Sequence, residues 1–229
     1  MATRLPQILF LLLFIFSACD EKIEFPDQDL EQDYQPLGIG FFWIYDVDQT
    51  IYFGENDSEK ARFFFRDRIR GSFLNEEKAI VFIVERSKST DKVNWIKELE
   101  YTLVYRNNSV LRTINNQAVV VLVFPPEEGR IWNGKVYQAE GADDFEIDLV
   151  GNSQLPAFST IPSIRVNQED LDDKITVRDI RYEVFGKGIG LLEKYDEVVT
   201  YCSRNDCLGQ ELINSGSKTH LKLVEYGTD

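Results

Sequence analysis

Apolar and polar residues alternate along most of the chain after residue 36, and a period of two is typical of β-strands. The clearest case is residues 40–54 (GFFWIYDVDQTIYFG), where every second residue from Phe41 to Val47 is apolar. The opposite face becomes polar at Asp46 and Asp48. We expect a turn at Asp48-Gln49.

Seven further segments share this pattern and are rich in β-branched and aromatic residues. They are residues 61–73, 78–87, 94–107, 118–126, 174–185, 189–202 and 218–227. Short turn signals (RNNS, INNQ, PPEEG, WNGK and FGKG) separate them, which favours an antiparallel meander. Only residues 77–80 and 167–174 suggest a short turn of helix, the second with Asn167 or Asp170 as its N-cap.

The first nineteen residues follow a different pattern. Arg4 precedes an unbroken apolar run at residues 8–16, and the small residues Ser17 and Ala18 stand before Cys19. This arrangement predicts a secretory signal peptide. The apolar run is shorter than the 18 or so residues that a spanning helix needs.

Residues 16–19 resemble the lipobox of bacterial lipoproteins, with Phe16 in place of the usual leucine. The resemblance implies that Cys19 is acylated and becomes the new N-terminus, which anchors the protein through several acyl chains. The alternative is a chance cysteine near an ordinary cleavage site.

Residues 20–36 (DEKIEFPDQDLEQDYQP) hold seven carboxylates against one lysine. Such a segment buries too little apolar surface to order itself, so we predict a disordered tether rather than an irregular segment packed on the domain. The predicted division is a signal peptide (1–18), a lipidated N-terminus and acidic tether (19–35) and a single antiparallel β domain (36–229).

Three short motifs resemble a broad group of uncharacterised Bacteroidetes lipoproteins. They are PLxxGxxWxY (Pro36, Leu37, Gly40, Trp43, Tyr45), a late GxGL strand followed by a charge (Gly188, Gly190, Leu191, Lys194), and a closing LVEYG. The resemblance implies a mainly β fold, either a curved antiparallel sheet or an open half-barrel with little helix. It implies a lipid anchor in the outer membrane, on its surface or its periplasmic side, and no assigned activity.

The formal net charge of −14 argues against nucleic acid and against electrostatic binding to anionic lipid. Cys202 and Cys207 are spaced C-x4-C, which in an oxidising compartment favours a small disulfide over two free thiols. With a single histidine, His220, the chain has too few ligands for the common zinc sites. We expect His220 to lie on a sheet surface.

No pattern marks a catalytic residue. Residues 186–190 (GKGIG) are flanked by strands on both sides, so we predict a hairpin or bulge rather than a phosphate-binding loop. The acid pairs, such as Asp143-Asp144, fit solvated loops better than a calcium site or a glycosidase dyad. We therefore predict no enzymatic activity, no cofactor and no metal.

Four arginines lie on one face of a single predicted strand: Arg62, Arg66, Arg68 and Arg70. Cross-strand ion pairs with Glu98 and Glu100 would make this arginine stripe structural. The alternative is a docking stripe for an anionic ligand or an envelope glycan.

The expected function is that of a membrane-anchored envelope lipoprotein that serves as a binding or structural module. Its partner would be an envelope protein, a glycan or a lipophilic ligand. The aromatic residues favour a filled core; a partly open sheet would instead make the protein a carrier of a lipophilic ligand. A carboxylate-based hydrolase acting on glycans is a third alternative.

Overall fold

The computed structural model describes residues 31–54, 57–139, 141–155 and 158–229. The predicted signal peptide, Cys19 and most of the predicted tether lie outside these ranges. The described chain contains one 3-10 helix, Gln32–Tyr34, and twelve strands. The strands are β1 (Phe41–Gly54), β2 (Asp57–Leu74), β3 (Ile80–Ser89), β4 (Ile96–Arg106), β5 (Ser109–Ile114), β6 (Gln117–Val123), β7 (Ile131–Asn133), β8 (Asp144–Ser153), β9 (Ile161–Asp172), β10 (Val177–Gly186), β11 (Gly190–Tyr201) and β12 (Ile213–Thr228).

All strands belong to one antiparallel sheet in the order β6-β5-β4-β3-β2-β1-β12-β11-β10-β9-β8-β7. The two outermost strands approach each other. The amide of Val120 on β6 donates to the carbonyl of Gly134, just after β7, at 2.8 Å, and the indole of Trp132 on β7 donates to the carbonyl of Val120 at 2.8 Å. The sheet is therefore nearly closed and barrel-like, which confirms the predicted curved antiparallel fold.

Alternation places one face of each strand inside this curve. Trp43, Phe63, Phe65 and Tyr101 belong to the main buried cluster, as the filled-core interpretation predicts. Trp95 does not, because it lies on the outer face under the Arg66 guanidinium, 4.6 Å from its ring centre.

Several local predictions are wrong. The turn expected at Asp48-Gln49 does not form, because β1 continues to Gly54 and both residues pair with β2 and β12. Residues 167–172 continue β9, and residues 77–79 belong to the turn that precedes Ile80, the first residue of β3, so neither segment is helical. The eight predicted strands correspond to β1, β2, β3, β4, β6, β10, β11 and β12, and four strands were missed: β5, β7, β8 and β9. The two Asn-Asn turns are confirmed, with both residues of each in the left-handed region that a two-residue hairpin loop requires.

The end of the predicted tether packs on the sheet. Tyr34 and Gln35 are buried, and the Tyr105 hydroxyl donates to the carbonyl of Gln32 at 3.0 Å. Lys187, in the β10–β11 turn, pairs with Glu31 at 2.6 Å. Residues 31–35 therefore lie beside the β10–β11 turn, and we call this end of the sheet the tether end and the opposite end the distal end.

Candidate functional site

The interior of the sheet contains charged groups among its apolar side chains. Asp67 on β2 accepts two hydrogen bonds from the Arg86 guanidinium, at 2.7 and 2.6 Å, and one from the Tyr101 hydroxyl at 2.9 Å. Burial is the main reason that the pKa of Tyr101 is raised, and the nearby Asp67 carboxylate raises it further. Tyr101 therefore stays a hydrogen-bond donor to Asp67.

A second interior ion pair crosses the curve. Arg112 on β5 donates to both carboxylate oxygens of Glu183 on β10, at 3.2 and 2.5 Å, and Lys194 on β11 lies 3.0 Å from the same carboxylate. Burial alone would raise the pKa of Glu183, but the attraction of Arg112 and Lys194 outweighs it and lowers this pKa to about 2. Glu183 is fully buried and ionised, and its charge is compensated from two sides.

Further charges continue toward the distal end. Lys194 also lies 3.1 Å from Asp196, and the register sets Asp196 opposite Arg181. Arg181 is bound by Asp179 at 2.6 Å. We call the set formed by Arg112, Glu183, Lys194, Asp196, Arg181 and Asp179 the inner ionic cluster. The Arg112–Glu183 pair makes this cluster a structural brace across the curve, because Arg112 belongs to β5 and the other members belong to β10 and β11.

The outer face carries an aromatic row in register across four strands. The row consists of Tyr182, Tyr195 and His220, and Asp48 on β1 lies opposite His220 at its end. The two tyrosine rings stack with centres 5.4 Å apart, and the His220 ring meets Tyr195 edge-on at 5.3 Å. The prediction that His220 lies on a sheet surface is confirmed.

Carboxylates complete this row. His220 Nε2 lies 2.6 Å from Glu193 Oε1, and Tyr182 donates to the same oxygen at 3.1 Å. The hydrogen bond from His220 holds the pKa of Glu193 below its ordinary value. Tyr195 donates to Glu197 at 2.6 Å. Glu193 and Glu197 thus flank the pair formed by Tyr182 and Tyr195. The polar atoms named here all lie on the outer face of the sheet and bind one another.

The arginine stripe lies on the outer face of β2, next to this row. Each of its members has a neighbour within reach: Arg62 binds Asp46, Arg66 covers Trp95, Arg68 binds Asp229 and Arg70 binds Glu85. In the described residues the ion pairs of the stripe do not involve Glu98 or Glu100; Glu100 pairs with Lys97, and Arg70 acts on it only through its more distant charge. The residues that contact the arginine stripe are therefore different from those that the sequence predicted.

The two cysteines predicted to pair do form a disulfide, with their Cα atoms 5.9 Å apart. It closes the loop between β11 and β12 at the distal end, and a cavity of about 280 Å³ lies beside it, lined in part by Cys202, Arg204 and Leu212. In the β10–β11 turn Gly188 has φ of 75°, as expected for a hairpin rather than a phosphate-binding loop. Within the described ranges there is no cluster of three or more metal-ligating side chains.

A larger cavity of about 480 Å³ lies at the distal end, on the β3–β4 loop (residues 90–95) and the strand ends beside it. Its lining includes Lys88, Ile96 and Lys97. Asp91 fixes the loop by accepting hydrogen bonds from the amides of Val93 and Asn94, each at 2.9 Å. These bonds keep the pKa of Asp91 well below its ordinary value. The cavity wall is thus built on an ordered loop.

A third cavity of about 240 Å³ lies at the tether end and is mainly apolar. Pro36, Phe41, Trp43, Ile189 and Tyr226 line it. The Trp43 indole donates to the carbonyl of Ile189 at 2.6 Å, which joins the opening motif of the domain to the GKGIG turn. All three motifs noted in the sequence therefore meet at this cavity, because Gly188 belongs to the late GxGL motif and Tyr226 to the closing LVEYG.

The inner ionic cluster was missed in the sequence. A signal existed, because Arg112 stands within the largely apolar segment 110–114 and Glu183 lies between Tyr182 and Val184. The pairing of these charges depends on contacts between strands that are distant in sequence. These contacts could not be inferred from the sequence.

Comparison with known proteins gives little guidance. No known protein family matches the chain, and no curated protein matches it significantly. The similar solved structures include a predicted exported protein with a YmcC-like fold from Bacteroides fragilis (TM-score 0.46) and a predicted lipoprotein from Parabacteroides distasonis (TM-score 0.42). Each shares 8% identity over 85% of this chain and 98% of its own. Likeness at these values assigns neither family nor activity. Among the described residues no helix is long and apolar enough to cross a bilayer.

Proposed function

We propose that the protein is an envelope lipoprotein, anchored to the outer membrane through acylated Cys19, that binds a partner through its distal end. The observation that carries the proposal is the orientation of the sheet: the segment that follows the predicted anchor attaches at one end, and the disulfide-closed loop lies at the other. Residues 31–35 attach beside the β10–β11 turn, and the disulfide-closed loop lies at the other end of β11. Twelve residues at about 3.3 Å each put the two ends of β11 about 40 Å apart.

The distal end suits a binding role. Its two cavities lie on loops held by the Cys202–Cys207 disulfide and by the hydrogen bonds to Asp91. Ordered loops at the end of a stable sheet favour binding because little entropy is lost on association. The filled core and the inner ionic cluster support a module without a central ligand chamber.

Site-specific photo-crosslinking in the native cell envelope tests this proposal. A benzophenone side chain would replace Val93 at the distal end or Ile39 at the tether end, which are 77% and 64% exposed. We expect a discrete crosslinked product from position 93 and none from position 39. Equal products from both positions, or a product from position 39 alone, would contradict distal binding.

The carrier alternative is favoured by the apolar cavity at the tether end, which would accept part of one acyl chain. Native mass spectrometry of protein taken from its own membrane would detect such a ligand. A co-purifying lipid that is lost in a Trp43→Ala variant would support the carrier function, and repeated absence of lipid would count against it.

We propose no catalytic activity. The aromatic row has two glutamates beside two tyrosines, but the described contacts already engage these groups with each other. Hydrolysis of an envelope glycan by the wild type that disappears in Glu193→Gln would overturn this view and favour the hydrolase alternative.

A further inference from the structure

The apolar cavity at the tether end has no charged side chain in its described lining. Phe41, Trp43, Ile189 and Tyr226 supply most of its wall, and the other lining residues are proline, glycine and threonine. The rings of Phe41 and Trp43 meet edge-on, with their centres 6.4 Å apart. Such a wall offers no ion pair to a carboxylate or a phosphate, so its chemistry favours an uncharged apolar chain.

The polar groups next to this cavity are already engaged. The Trp43 indole donates to the carbonyl of Ile189 at 2.6 Å, and the Gly188 amide donates to the carbonyl of Asp33 at 2.8 Å. A chain that enters the cavity therefore meets a wall that is already ordered, which lowers the entropic cost of binding. The volume of about 240 Å³ is below the roughly 300 Å³ of the smallest usual ligand sites, so it suits part of one acyl chain.

The start of the described chain lies at the rim of the same cavity. Pro36 belongs to the lining, and Glu31 and Asp33 are bound by Lys187 and Gly188 of the β10–β11 turn. Twelve residue steps separate Glu31 from Cys19. They can span at most about 43 Å. A linker of this length gives a group on Cys19 an effective concentration on the order of millimolar at the cavity.

We infer that this cavity holds part of one acyl chain of the protein's own N-terminus, attached at Cys19, whenever the protein is outside a bilayer. The inference rests on the proposed acylation of Cys19 and gives one of its chains a place on the domain. An acyl chain in water is unfavourable, and the cavity removes part of its surface from water. A bilayer offers a larger apolar volume, so the chain leaves the cavity when the protein reaches its membrane.

A single alkyl chain on Cys19 tests the inference. In the predicted mature chain, which begins at Cys19, the Cys202–Cys207 disulfide leaves Cys19 as the one free thiol. A maleimide would attach a hexadecyl chain with bromine at its far end, and the same chain without bromine serves as the reference. Bromine quenches tryptophan fluorescence on contact. We expect quenching in lipid-free solution that is independent of protein concentration, is lost in Trp43→Phe and persists in Trp95→Phe.

Tyr226→Glu provides a second test in which the reporter stays in place, because it adds a charge to the cavity wall. We expect it to reduce the quenched fraction at least twofold. The matched control is Tyr137→Glu, at a tyrosine outside the lining with nearly the same exposure (41% against 42%), and it should leave the quenching unchanged. Phosphatidylcholine vesicles should restore the fluorescence to that of the reference as the chain enters the bilayer.

Equal quenching in the two tyrosine variants, or quenching that persists in Trp43→Phe, would overturn the inference. Quenching that disappears on dilution would also overturn it, because the contact would then join different molecules. Quenching by added dibromostearate but not by the attached chain would replace it with the carrier function. If native protein carries an acyl mass on Cys19 but the attached chain does not quench, only this inference is wrong; a native protein without acyl mass contradicts the proposed function itself.

Discussion

Arg112 and Glu183 meet inside the sheet, with Arg112 Nη2 2.5 Å from Glu183 Oε1, although six strands separate β5 from β10 in sheet order. This contact joins the two halves of the curve from within. The hydrogen bonds of Val120 and Trp132 join the outermost strands at the seam. Two separate sets of contacts therefore hold the sheet in its nearly closed form.

Removing Arg112 should destabilise the protein strongly, because Glu183 would stay buried with only Lys194 beside it. We expect Arg112→Met to lower the free energy of unfolding by about 3 kcal/mol, as measured by urea denaturation. Arg112→Met combined with Glu183→Met should cost less than the two single changes added together. The control is Arg70→Gln, which breaks the exposed pair with Glu85 and should cost at most about 1 kcal/mol. Equal losses in the two arginine variants would contradict a role for the interior pair.

The buried glutamate also predicts a pH dependence. The pKa of Glu183 is lowered from 4.5 to about 2, so its ionised form stabilises the fold above pH 4.5 and this contribution is lost as the pH falls toward 2. The difference in unfolding free energy between wild type and Glu183→Gln should thus be constant at neutral pH and shrink below pH 4.5. A difference that stays constant down to pH 2 would mean that Glu183 does not titrate in this range.

A double substitution in the arginine stripe distinguishes a structural role of these residues from a docking role. Replacing Arg66 and Arg68 together by glutamine removes the contact with Trp95 and the ion pair with Asp229. We expect a melting temperature about 2–4 °C lower and unchanged capture of the partner. Lys60→Gln, on an exposed residue of the same strand, serves as the control. Lost capture at an unchanged melting temperature would instead favour the docking stripe.

The sequence predicted the fold class because alternation is strong where one face is apolar. From Phe41 to Val47 every second residue lies in the core or packs against it, as the pattern indicates. The predicted turn at Asp48 failed for a physical reason: Asp48 faces outward opposite Arg62, where an acid in mid-strand costs little. Composition alone did not distinguish an outward acid from a turn.

Two of the missed strands, β5 and β9, have a different cause. β5 is only six residues long and points the charged Arg112 inward, so its apolar alternation is broken. β9 carries the buried Gln168 and ends among acids, which made its last residues resemble a solvated turn. In both strands tertiary contacts compensate a local pattern that does not favour a strand. The partners of the arginine stripe were missed because the register between two strands cannot be read from the sequence of either strand alone.

The covalent state of Cys19 decides whether the protein is an anchored module. Intact-mass analysis of the protein isolated from its own envelope, together with fractionation of a Cys19→Ser variant, measures this state. We predict an acyl mass on a chain that begins at Cys19, and loss of the variant from the membrane fraction. A native protein without acyl mass, together with a variant that still pellets with membranes, would contradict the anchored module on which the proposed function rests.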